Sequence, residues 1–138
     1  MKFSVVIPVF NEKDNLNIFF KELFHVLEDN NKKYNNIFEI LFVNDGSTDD
    51  SLLIIKSISN QENNINFINL DKNYGQSFAI FQGVKNSKYD NIITIDADCQ
   101  NNPNDLHKLI EKYSNNNKIK LVGGLRLKRK DTFIKIIS

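Results

Sequence analysis

The sequence predicts an α/β protein built on a mostly parallel sheet with helices on both faces. Two observations carry that prediction. Short apolar runs alternate with stretches of helical apolar spacing, and the unusual polar motifs fall just after the apolar runs. At 138 residues, with 41% hydrophobic and 25% charged, the chain has the length and composition of one domain with a buried core.

Residues 3–9 form a near-continuous apolar run through Pro8, as a strand covered on both faces requires. Leu16, Phe19, Phe20, Leu23 and Leu27 then repeat at helical spacing, predicting a helix over about 14–29 with Phe19, Phe20 and Phe24 in the core. Residues 37–43 read as a second buried strand. Ser47 with Asp50 resembles a capping signal for a second helix carrying Leu52, Leu53, Ile55 and Ile58. A third strand at 65–70, a helix at about 75–86 and a fourth strand at 91–95 follow. Asn102-Pro103 starts a fourth helix with Leu106, Leu109, Ile110 and Tyr113, and residues 119–125 make a fifth strand. About one residue in six is asparagine, most of it in stretches that read as connections, such as Asn30-Asn31 and Asn35-Asn36.

The net charge of +1 hides an asymmetry. Residues 118–138 hold seven basic residues and one acid, which suits an anionic partner such as phosphate or a membrane surface. The basic residues cluster at one end without interleaved aromatics, which disfavours nucleic acid. One cysteine, Cys99, excludes an internal disulfide, and no Cys/His cluster has zinc spacing. The chain starts directly in a strand pattern without a signal peptide, and no apolar run approaches the roughly 18–20 residues of a membrane span. A cytoplasmic setting is therefore expected.

Three polar motifs follow strand ends: Asn11-Glu12, Asn44-Asp45-Gly46-Ser47 and Asp96-Ala97-Asp98. In a parallel sheet those ends converge on one edge, where open α/β sheets bind ligands. Paired carboxylates there suit a hard divalent cation that also binds substrate phosphates. Asn11 also fits a plain helix cap, 44–47 a bare turn, and Lys72-Asn73-Tyr74-Gly75 either an approach to the ligand or a turn into the third helix. Gly-rich phosphate cradles are absent, which disfavours dinucleotide oxidoreductases and P-loop NTPases. His25 and His107 read as structural or surface residues, Asp90 as a turn residue and Asp105 as an early-helix acid.

Together, Ser4-Val5-Val6-Ile7-Pro8-Val9-Phe10-Asn11-Glu12, Val43-Asn44-Asp45-Gly46-Ser47-Thr48-Asp49, Asn73-Tyr74-Gly75-Gln76 and Asp96-Ala97-Asp98-Cys99-Gln100 resemble the family 2 glycosyltransferases of GT-A (Rossmann-like) fold. With Pro103 and Gly124-Leu125-Arg126, the pattern most resembles the polyprenyl-phosphate sugar transferases, including those using dolichol or undecaprenyl phosphate. The resemblance implies an inverting transfer from a nucleoside-diphosphate sugar (UDP- or GDP-linked) to a polyprenyl phosphate. Alternatives are transfer to a glycan hydroxyl, or a catalytically silent nucleotide-sugar-binding module.

By the same resemblance, Pro8, Phe10, Glu12, Asp45, Gln76, Asp96, Ala97 and Asp98 would bind the nucleotide-sugar. Asp98 and Gln100 would hold Mg²⁺ or Mn²⁺, and Asp96, Asp98 and Arg126 would serve the transfer step. Asn44, Cys99, Asn102 and Asn104 depart from the common family pattern. Members continue beyond the equivalent of Ser138, so the resemblance implies that residues 1–138 are a donor half, C-terminally truncated, lacking the acceptor half and any membrane region. The apolar ending at 134–138 is expected to run into a packed helix.

Overall fold

The computed structural model describes residues 1–116, 121–123 and 135–137. Strands β1 (Lys2–Val9), β2 (Ile37–Asn44), β3 (Ile65–Asn69) and β4 (Asn91–Thr94) run parallel in the order β3-β2-β1-β4. Helices α1 (Leu16–Tyr34), α2 (Ser51–Ser59) and α3 (Gln76–Lys85) form the crossovers, and α4 (Asp105–Ser114) follows β4. The expected alternation is therefore present.

Strand periodicity divides the core between two faces. Phe3, Val5, Ile7 and Val9 of β1 join Phe38, Ile40 and Phe42 of β2 on one face. Leu16, Phe19 and Leu23 of α1, Ile55 and Ile58 of α2, and Leu106 and Ile110 of α4 cover them. The other face is thinner, with Val6, Val43 and Ile92 packed against Ala79 of α3. There α3 comes close enough at Gly83 that a Cβ would stand 2.3 Å from Val6 Cγ1.

Two segments differ from the sequence expectation. Helix α1 continues to Tyr34, through the asparagine run read as a connection. Asn30 is fully buried, with Nδ2 2.5 Å from His107 Nδ1, so tertiary packing stabilises a residue of modest helix propensity. The helix ends where Asn35 turns left-handed at φ 53°. Residues 135–137 form strand β6 (Lys135–Ile137), an element that the alternation alone does not predict. It lies antiparallel between β4 and β5 (Leu121–Gly123), so the fifth strand sits one place further out than simple alternation implies. The second edge of β4 offers ladder groups that an extended segment satisfies and a helix does not. The other residues of the expected 119–125 strand lie outside the described residues. Among the described residues, no helix is long and apolar enough to cross a membrane.

Candidate functional site

The carboxyl ends of β1, β2 and β4 open into one pocket of about 260 Å³. Pro8, Val9, Phe10 and Glu12 line it from β1, and Asp45 from β2. Asn73, Gly75 and Gln76 enter from the β3–α3 connection, and Asp96, Ala97 and Asp98 from the end of β4. Every residue assigned above to the nucleotide-sugar is among them. Gln100 is exposed and does not line the pocket, and Arg126 lies outside the described residues.

Beyond β4, Ala97 is 2% exposed and belongs to the main core. Burying it turns Asp96 and Asp98, its neighbours on either side, to the rim. Asp98 Oδ1 accepts the Gln100 N–H at 2.9 Å, an Asx-type turn around Cys99, whose φ is 56°. Burial, then the carboxylates of Glu22, Asp98 and Glu12, push the Cys99 thiol above its ordinary pKa. Asp96 Oδ1 accepts from Gln76 Nε2 at 2.5 Å.

Asn11 does not cap α1. At φ 52° it reaches across to the β2–α2 connection. Its Oδ1 accepts the Thr48 N–H at 2.8 Å and the Asp49 N–H at 3.3 Å, and its own N–H donates to Ser47 Oγ at 3.0 Å. Glu12 N–H donates to Ser51 Oγ at 2.9 Å, and Glu12 Oε2 accepts from Asn15 Nδ2 at 2.8 Å. Ser47 therefore serves this inter-loop lacing rather than a cap, and Asp50, at the N-cap position, makes no side-chain cap bond. Asp49 supplies the local acceptor instead, taking the Ser51 N–H at 2.9 Å and the Lys13 N–H at 3.3 Å.

For Asp49, burial alone raises the pKa, but the Ser51 and Lys13 hydrogen bonds and the Lys13 charge outweigh it and bring it below the ordinary 3.8. The stability this carboxylate contributes is therefore present above about pH 3.8 and lost as pH falls through the lower folded value. Asp49→Asn is expected to flatten the acid limb of Tm against pH, measured by thermal melts from about pH 5 to 2. An unchanged limb would mean that Asp49 does not tie the two loops.

The pocket carries four carboxylates, Glu12, Asp45, Asp96 and Asp98, and no basic side chain among the described lining residues. A diphosphate would be repelled there unless a cation intervened. Asp98, with Asp96 beside it on the pocket rim, offers the one or two carboxylates that a hard divalent cation such as Mg²⁺ takes when phosphate oxygens and water complete its shell. Asn73 and Gly75 are lining residues that sequence reading left open between a turn and a ligand wall, and the structure shows a turn that forms part of the wall.

Three solved structures share this architecture. Residues 1–349 of S. aureus TarS superpose with a TM-score of 0.66 at 24% identity, covering 88% of this chain and 34% of that one. The same protein in complex with UDP-GlcNAc also gives 0.66, covering 88% and 33%. The mannosyltransferase PcManGT from Pyrobaculum calidifontis, in complex with GDP-Man and Mn²⁺, gives 0.73 at 14% identity, covering 90% and 35%. The chain thus spans about a third of the length of these structures. The family model for glycosyl transferase family 2 matches residues 4–136. With its parallel sheet and strand-end pocket in the GT-A arrangement, the chain belongs to glycosyl transferase family 2.

Proposed function

We propose that this pocket binds a nucleotide-sugar donor together with Mg²⁺ or Mn²⁺, for transfer of the sugar to a polyprenyl phosphate. The observation that carries the reading is the meeting of Pro8, Glu12, Asp45, Asp96 and Asp98 in one anionic pocket. Asp98 with Gln100 would hold the cation, and Asp96 would lie near the ribose and diphosphate. When bound, the cation supplies neutralisation of charge developing on the diphosphate leaving group. Pro8, Glu12 and Asp45 would contact the base and ribose, and Arg126 would meet a phosphate of donor or acceptor.

The acceptor reading rests on the resemblance to polyprenyl-phosphate sugar transferases. A sugar hydroxyl needs a general base, whereas a lipid phosphate arrives ionised. The basic residues of 118–138 would then face the lipid phosphate or an anionic leaflet on the cytoplasmic side, each contributing about 1 kcal/mol near such a surface.

Calorimetric titration with UDP- and GDP-sugars, with and without Mn²⁺, tests the donor assignment. Saturable binding of one donor class, strengthened by Mn²⁺, is expected. Failure of every donor to bind in the presence of metal would overturn it.

A further inference from the structure

Residues 44–46 grip residues 70–75 at successive points. The Leu70 N–H donates to the Asn44 carbonyl at 2.9 Å. Asp45, only 3% exposed, accepts the Tyr74 N–H on Oδ1 at 2.8 Å and the Gly75 N–H on Oδ2 at 3.0 Å. Gly46, at φ 67°, leaves room for the Lys72–Asn73 backbone where a Cβ would stand 2.3 Å from Lys72 C. Gly75, at φ 98°, then turns the chain into α3 and delivers Gln76 to Asp96. These contacts run from the end of β2 to the end of β4, bypassing β1, which separates the two in the sheet.

We propose that Asp45 is a positioning residue: by holding the Tyr74 and Gly75 N–H groups it fixes segment 71–76 so that Gln76 sets the Asp96 carboxylate in the pocket. The chemistry requires a carboxylate. Ionised aspartate offers two acceptor oxygens and no donor, whereas asparagine would aim an NH₂ group at one of the two N–H groups. A residue that served only as a ligand contact would leave the loop unchanged in the donor-free protein. The positioning itself is independent of what binds, and only its consequence for affinity rests on the donor-site reading above.

Amide hydrogen exchange on the donor-free chain tests the positioning directly. Asp45→Asn is expected to speed exchange at Tyr74 and Gly75 by about tenfold or more, with β1 and β2 amides unchanged. Should that variant not fold, Asp45→Ser, which keeps one acceptor, carries the same readout. Unchanged exchange at both amides would overturn the proposal whether or not any donor binds.

The link to Asp96 is read in the donor-free protein from the carboxyl ¹³C shift of Asp96, which Gln76→Met and Asp45→Asn are both expected to move. A shift that moves in Gln76→Met and stays in Asp45→Asn would overturn the link. A wild-type chain that binds no nucleotide-sugar would defeat the donor reading and leave the exchange experiment to decide the positioning.

Discussion

Asp98→Asn is expected to abolish the metal-dependent part of nucleotide-sugar binding while leaving the fold intact. The amide keeps an Oδ1 able to accept the Gln100 N–H, so the turn around Cys99 survives. What is lost is the negative charge that the proposed site would place beside a divalent cation. Unit charges about 4 Å apart at an effective dielectric near 20 interact by about 4 kcal/mol, so a drop on the order of 100-fold or more in Mn²⁺-dependent affinity is expected. Weak metal-free binding should stay as it is. The measurement is donor Kd with and without Mn²⁺ for both proteins, with circular dichroism as the control. Equal Mn²⁺ enhancement in the variant would remove Asp98 from the metal site.

The second large effect falls on stability. In Gly46→Ala the new Cβ would stand 2.3 Å from Lys72 C and 2.4 Å from Asn73 N, both backbone atoms that cannot rotate away. The residue would also sit at φ 67°, a conformation that side chains adopt at a cost. Strain and overpacking together are expected to cost about 3 kcal/mol, or a fall in Tm of roughly 10 °C. Because the displaced segment carries Asn73, Gly75 and Gln76, donor affinity should fall with it. A variant melting with the wild type would show that the 72–73 backbone has room to move.

These two positions differ in how they could be read. Asp98 is legible in the sequence through its place after a buried apolar run and the motifs around it, since a parallel sheet puts that strand end on the carboxyl edge with the others. Gly46 reads only as a turn glycine. The backbone that it accommodates lies about 26 residues further along the chain, and no local pattern encodes that approach. Asn11 is similar, since a cap for its own helix and an acceptor for Thr48 and Asp49 look the same in sequence. The asparagine run misled for a related reason. Low helix propensity suggested a connection at Asn30-Asn31, and burial against α4 overrode it.

By itself, the sequence determined the parallel β1–β4 framework, the helices between the strands and the convergence of three motifs on one edge. Apolar periodicity and parallel connectivity are local or topological properties and are written residue by residue. Tertiary structure alone decided the wedging of β6 between β4 and β5, the placement of Gln100 outside the pocket, and the role of Asp45 as a clamp on the 74–75 backbone. Each of these is a pairing of groups distant in the chain, settled by which unsatisfied hydrogen-bonding groups meet when the sheet closes.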